Sequence, residues 1–270
     1  MAQGVRLAEG REAEVFAHGD GAVLKLLRDA DRTDRVAREA AALRALAAGG
    51  YPVPRVLDVV VVDGRPGLVL ERVAGDDLLT ALGRNPLALR RAARALADAH
   101  AAMHDHHGPP ELPTVHDVVS GRIAAAEPLP DDLRAAALAL LATLPGGDAL
   151  CHGDMHLGNM LGTWAAPVVI DWGDAARGHP AADVARTALL HRVGEPPPGA
   201  PFLVRRLAPV GRRALAALYL ARYRRVRPIE RDLVERWVVV RAAARLAEPI
   251  PAEHPRLLAI VRAGMAAAPP

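Results

Sequence analysis

CHGDMHLGNMLGTWAAPVVIDWGD, residues 151–174, is the stretch on which the reading of this chain turns. Two short apolar runs, ALC ending at Cys151 and APVVI ending at Ile170, flank loops crowded with Gly, His, Asp and Asn. Loops of that make-up between apolar strands are where binding and catalytic groups concentrate. Asp154 and Asn159 share one loop, and Asp171 follows the second apolar run, 17 residues after Asp154. Two carboxylates and an amide carbonyl are hard oxygen ligands suited to Mg²⁺. That ion takes few protein ligands and completes its shell with substrate phosphates.

Upstream, the chain reads as a small β-rich unit. EAEVFAH and GAVLKLL, within residues 12–27, are two strands joined by the turn GDG at 19–21. DRTDRVAREAAALRALAA, 31–48, is helical and stops at Gly49-Gly50. VPRVLDVVVVDGRPGLVLERV, 53–73, gives two more strands around Asp63-Gly64. After Gly75 the pattern turns helical, with runs at 87–107, 131–144, 181–192, 204–226, 230–247 and 253–265. Proline-rich spacers sit at 109–113 and 196–201. The expected class is α+β: a lobe at 1–73, then a larger helical lobe at 74–270 with the polar loops at its head.

Composition sharpens the choice of residues. All but one of the 34 basic residues are arginine, and the exception, Lys25, stands inside an apolar strand. Asparagine occurs only at Asn85 and Asn159. A coding sequence that replaces Lys by Arg wherever either serves leaves Lys where an ammonium is needed. The net charge of +3 and the 3% aromatic content provide neither a basic tract nor rings for base stacking, so no nucleic-acid partner is expected. The single Cys151 fits a reducing, cytoplasmic setting. No run of about 18 apolar residues is free of charge, so no membrane span is expected.

With these residues in view, HGDMHLGN resembles the catalytic loop of the aminoglycoside phosphotransferase family, small-molecule kinases with a protein-kinase-like two-lobed fold. VVIDWGD resembles that family's metal-binding strand end. LAEGREAEVF is similar to its phosphate-covering turn, VLKLL to its lysine strand, VAREAAAL to the helix carrying the paired glutamate, and GLVLERVAGDDL to the hinge. The resemblance implies that Asp154 is the catalytic residue, accepting or orienting the proton of the acceptor hydroxyl. It implies that Asn159 and Asp171 hold Mg²⁺, and that Lys25, paired with Glu39, binds the α- and β-phosphates of ATP or GTP. It further implies that the backbone of Glu71, Arg72 and Val73 binds the base and that the turn at Gly10 covers the phosphates. This turn has one glycine where protein kinases show three. His152 and Asp183 are implied to support the loop from beneath. A compact ammonium suits a gap between phosphate oxygens and a carboxylate better than a planar guanidinium does.

Other readings attach to several residues. Asp174 reads as an exposed loop acid, Trp172 as a packing residue between lobes, and Asn85 as a turn or cap. His100 and His104 share a helix face as zinc ligands can, but no third ligand is evident in the sequence. Only 11 residues separate Asp171 from Asp183, which leaves little platform for a peptide and favours a small hydroxylated acceptor, an antibiotic or a metabolite. Residues 200–270 hold 14 Arg against five acids, a balance that leans away from a polycationic acceptor. Asp76, Asp77 and Glu195 are the acids that could reverse it. The alternative to an enzyme is a nucleotide-binding pseudokinase with a regulatory or scaffolding role. The complete set Lys25, Glu39, Asp154, Asn159 and Asp171 speaks against it. A monomer or a homodimer is expected.

Overall fold

The computed structural model describes residues 4–194 and 202–267. Strands β1 (Arg6–Glu9), β2 (Ala13–His18), β3 (Ala22–Leu27), β4 (Val56–Val62) and β5 (Arg65–Glu71) form one antiparallel sheet in the order β1-β2-β3-β5-β4. The β4–β5 hairpin turns at Asp63 and Gly64, with φ of 51° and 77°. Two successive positive φ values are what a two-residue hairpin with right-handed strand twist requires, and Asp-Gly meets that need. On β3, Ala22, Leu24 and Leu26 point to one face, where they meet Phe16, Val62 and Val69. Strand alternation sends Lys25 to the other face.

That other face is covered by helix α1 (Thr33–Ala48). Its buried stripe is Val36, Glu39, Ala40, Leu43 and Leu46. The spacing is that of one helix face, and the glutamate is its polar member, 2% exposed. A carboxylate so placed needs a cation, and Lys25 lies on the strand face opposite.

The rest of the chain is mostly helical. It comprises α2 (Leu78–Arg84), α3 (Leu89–Met103), α4 (Val115–Ala125), α5 (Asp131–Ala142), α6 (Pro180–Val193), α7 (Phe202–Val226), α8 (Arg231–Arg245) and α9 (His254–Ala267). Two short antiparallel ribbons interrupt it: β6 (Ala149–Cys151) with β9 (Ala176–Gly178), and β7 (Met160–Gly162) with β8 (Pro167–Val169). The loops at 152–159 and 170–175 leave these ribbons side by side. α3 packs along α7, and α6 along α8, around a core that includes Leu96, Met103, Trp172, Tyr219, Tyr223 and Trp237.

The helical run expected at 87–107 begins as a 3₁₀ turn at Pro86–Ala88 and ends at Met103, so α3 is shorter than its pattern. The run expected from 204 begins at Phe202 and carries Pro209 inside. β1, β7, β9, α2 and α4 lie outside the elements read from the pattern. Asn85 ends α2 through its backbone N–H to Ala81 O and makes no side-chain cap. Residues 196–201 and Glu195 lie outside the described residues.

Candidate active site

Lys25 sits at the centre of the inter-lobe gap. Its Nζ donates to Glu39 Oε1 at 2.7 Å, to Glu39 Oε2 at 2.8 Å and to Asp171 Oδ1 at 2.8 Å. Burial opposes its charge, but the Glu39 and Asp171 carboxylates outweigh it and hold the ammonium above its ordinary pKa. The backbone N–H of Trp172 reaches Glu39 Oε1 at 3.2 Å, so the glutamate also ties α1 to the metal-loop segment. The Trp172 ring is fully buried and meets Tyr51 edge to face at 6.2 Å.

Asp171 has φ of 65°, one of two non-glycine residues with positive φ among the described residues. That region is sparsely populated for residues with a Cβ, and such strain persists where the surroundings enforce it. Lys25 is the first cause of the lowered pKa of Asp171. Ile170 N–H donates to Asn159 O at 2.9 Å, which sets Asn159 beside Asp171. Asn159 Nδ2 donates to Asp154 O at 3.0 Å. A carbonyl acceptor fixes that end of the amide as NH₂, so Oδ1 is the end left for other partners. Asn159 Oδ1 and the half-exposed Asp171 carboxylate are a donor set that fits Mg²⁺.

Asp154 is held from three directions. Arg186 Nη2 lies 3.0 Å from Oδ1, His156 Nε2 lies 3.5 Å from Oδ2, and the loop backbone is fixed beneath it. Burial raises its carboxyl, but the His156 ring and the Arg186 guanidinium outweigh that and keep it far below the usual carboxylate range. His156 Nδ1 accepts the Gly158 N–H at 3.0 Å, so its protonated nitrogen faces Asp154. Gly153 has φ of 81°, and a Cβ there would stand 2.5 Å from Asp174 O. No other residue fits this bend without moving the neighbouring loop.

Asp183 takes the amide hydrogens of His152 (2.6 Å) and Gly153 (2.9 Å). It is fully buried, and His100 Nε2 approaches Oδ2 at 3.2 Å. Burial opposes ionisation of Asp183, and the His100 and His104 contacts carry it well below its ordinary pKa. His100 and His104 meet the Tyr219 and Tyr223 hydroxyls through Nδ1 at 2.8 and 2.7 Å. Asp183 is the third group that the sequence did not show beside the two histidines. Both its oxygens already accept backbone N–H bonds and no fourth protein ligand joins them among the described residues, so the cluster is a hydrogen-bonded brace under the loop. His152 Nδ1 accepts the Asp154 N–H at 3.2 Å and its Nε2 bonds Ile170 O at 3.0 Å, joining the two loops.

The hinge and the turn complete the cleft. Glu71 N–H is used by Arg55 O and Arg72 N–H by Gly21 O, both at 2.9 Å. Among the three hinge amides, Val73 is the one without such a backbone bond among the described residues. Gly10 N–H closes the β1–β2 turn on Ala13 O at 2.8 Å. Asp174 differs from its sequence reading. Its side chain is 18% exposed and is shared by Arg35 (3.2 Å) and Arg122 (3.0 Å). Arg186, Arg35 and Arg122 had no signal in the sequence beyond the spacing of Asp183 and Arg186 on one helix face.

A family model of phosphotransferase enzymes matches residues 3–229. The chain belongs to the phosphotransferase enzyme family. Solved structures place it on that family's fold. The GDP and kanamycin complex of APH(2")-IIia is 18% identical, with 97% of this chain and 90% of that chain covered and a TM-score of 0.59. APH(3'')-Id from Streptomyces rimosus ATCC10970, in complex with ADP and streptomycin, is 23% identical over 86% and 90% of the two chains, with a TM-score of 0.54. A putative fructosamine-3-kinase from Haemophilus somnus 129PT is 15% identical over 97% and 89%, with a TM-score of 0.60. No curated protein sequence matches this chain at a significant level. Family membership makes this phosphotransferase a small-molecule kinase. Among the described residues no helix is long and apolar enough to cross a membrane.

Proposed function

We propose that this phosphotransferase moves the γ-phosphate of ATP or GTP to a hydroxyl of a small molecule, with Asp154 as the group that engages the acceptor. The observation that carries the reading is the meeting of Lys25, Glu39 and Asp171 across the lobes beside Asp154 and Asn159. The acceptor oxygen bonds to the γ-phosphorus as the bond to the β–γ bridging oxygen breaks. Such transfers depend on alignment and charge neutralisation more than on a protein nucleophile.

Lys25 binds the α- and β-phosphates, and Glu39 fixes its position. The Val73 amide and the neighbouring carbonyls of Glu71 and Arg72 meet the base edge, and the Gly10 turn lies over the phosphates. Mg²⁺, held by Asn159 Oδ1 and Asp171, supplies neutralisation of phosphate charge. Asp154 orients the acceptor O–H as a hydrogen-bond acceptor. The hydroxyl proton leaves with the phosphorylated product or passes to solvent. His152 and Asp183 keep the loop in place.

Asp76 and Asp77, two of the acids that could attract a polycation, are already engaged, and Glu195 lies outside the described residues. Asp76 pairs with Arg84, Asp77 caps α2 through the Thr80 N–H, and Glu248 contacts both Arg186 and Arg245. This supports a neutral or anionic hydroxyl compound as acceptor. The test is nucleotide consumption against a panel that includes kanamycin, streptomycin, fructosamines and sugar acids, with Asp154→Asn beside the parent chain. Turnover on an acceptor that disappears in Asp154→Asn, with nucleotide affinity kept, is the expected result. Nucleotide binding without transfer to any acceptor, unchanged by the substitution, would instead favour a scaffold.

A further inference from the structure

Helix α6 addresses the loop that carries Asp154 at three points. Asp183 takes two amide hydrogens, Thr187 Oγ1 donates to Met155 O at 2.9 Å, and Arg186 donates through Nε to Gly153 O at 3.2 Å and through Nη2 to Asp154 Oδ1 at 3.0 Å. Of the three, Arg186 alone touches the Asp154 carboxylate. Its side chain is 5% exposed.

Behind Arg186 runs a file of alternating charges. Arg186 Nη2 lies 2.9 Å from Glu248 Oε1, an ion contact without hydrogen-bond alignment. Glu248 Oε2 accepts from Arg245 Nη1 at 2.9 Å, and Arg245 Nη2 donates to Glu253 Oε1 at 3.0 Å. Asp154, Glu248 and Glu253 are three acids against two guanidiniums, so the file keeps one unit of negative charge. Its far end is closed, with Glu253 side-chain exposure of 4%, and its open end is Asp154 at 31%. Glu248 shares the charge of Arg186, which therefore does not cancel that of Asp154. Arg186 engages Oδ1, while Oδ2 has, among the described residues, only His156 Nε2 near it, at 3.5 Å, and keeps a lone pair for a hydroxyl.

Resting on the phosphotransferase reading above, we infer that Arg186 is a positioning residue for phosphoryl transfer. It is anchored by Glu248, in the turn that follows α8, and fixes which oxygen of Asp154 faces the incoming hydroxyl. Misplacing a reacting group by about 1 Å costs on the order of 100-fold in rate. Removing one partner of a buried ion pair also destabilises the fold, whereas replacing both by apolar groups is often tolerated. The informative variant is therefore the pair Arg186→Met with Glu248→Leu, beside Arg186→Lys, which keeps a charge on a single donor nitrogen.

The probe is single-turnover hydrolysis of MgATP and MgGTP, in which water serves as the hydroxyl acceptor. The expected result is a rate lowered about 30- to 100-fold in the double variant. Nucleotide affinity stays within about twofold and thermal unfolding remains cooperative, with Arg186→Lys partly restoring the rate. In an Asp154→Asn background the double variant should cause no further loss, because Arg186 acts through that carboxylate. An equal fractional loss in both backgrounds would overturn the inference by making the role structural. So would an undiminished rate in the double variant while Asp154→Asn is impaired. Hydrolysis unchanged by Asp154→Asn itself would instead overturn the underlying reading of the site.

Discussion

Lys25 and Glu39 are joined by both carboxylate oxygens, at 2.7 and 2.8 Å, in a pair whose side chains are 14% and 3% exposed. Lys25→Met leaves a buried carboxylate uncompensated and is expected to cost about 3–5 kcal/mol of stability. Lys25→Arg keeps the charge but brings a planar fork into a space that holds one nitrogen among Glu39 and Asp171. Its rate is expected to fall roughly 100- to 1000-fold with stability largely kept. Urea unfolding and nucleotide turnover, measured on both variants, separate the two effects. An arginine variant with full turnover would show that the lone lysine reflects no chemical need.

Asp183 makes a different demand. In Asp183→Ala the amides of His152 and Gly153 lose their acceptor inside the protein, each at about 1–3 kcal/mol. A loss of about 2–6 kcal/mol is expected, together with slower turnover as the loop beneath Asp154 loosens. Asp183→Asn keeps one oxygen and should fall between. Denaturant midpoints compared with the parent chain decide this.

The fold was legible where periodicity was long. The hairpins around 19–21 and Asp63-Gly64 and the runs of α1, α5, α6 and α8 read directly, because each buries one face over several turns or pairs. The missed elements have local reasons. β9, three residues long, exists because β6 pairs with it, and no three-residue pattern announces that. α4 did carry a signal: Thr114 and Asp117 form a capping box, with Thr114 Oγ1 receiving the Asp117 N–H and the Asp117 carboxylate receiving the Thr114 N–H. α2 opens likewise on Asp77, whose side chain takes the Thr80 N–H. In the site, residue types that are rare in this chain or tightly spaced stood out, as Lys25, Asn159 and Asp171 did. Arg186 and Arg35 did not, because one arginine among so many carries no mark of its partner.

Asp174 illustrates the cost of reading an acid by its loop. Arg35 on α1 contacts Asp174 at 3.2 Å and Glu12, in the turn after β1, at 2.6 Å, so it clasps the small lobe to the segment after Asp171. Glu12 is largely exposed, and a pair of that kind contributes about 0–1 kcal/mol. Arg35→Met is therefore expected to raise the nucleotide KM about 3- to 10-fold with kcat nearly unchanged, and the parent KM should rise with salt. Asp174→Asn should behave similarly. A collapse of kcat in Asp174→Asn would place that carboxylate on the metal or the substrate instead.

Among the described residues, His104 is one of two buried histidines, with His191, whose pKa burial lowers to about 4, and both act on stability in acid. The His104 ring is buried between Tyr223 and Asp183, and burial lowers its pKa from 6.5 to about 4. Between those values the unfolded chain binds more protons at this site than the folded chain, so stability rises with pH across the window and falls as pH is lowered through it. The slope from one such histidine is at most about 1.4 kcal/mol per pH unit. His152 is also lowered by burial and adds in the same direction. The depressed carboxyl of Asp183 contributes stability that is lost only at more acid pH, below the ordinary carboxylate range, where the unfolded chain takes up a proton that the folded chain does not. Unfolding free energies measured by urea at pH 7, 6 and 5 should therefore decline, and His104→Gln should flatten part of that decline. The Gln variant will be less stable at pH 7 through its lost Tyr223 contact, so the slope, not the absolute value, is the quantity to compare. A parent chain equally stable at pH 7 and pH 5 would mean that His104 takes up its proton without unfolding, and that the brace beneath Asp154 tolerates a charge.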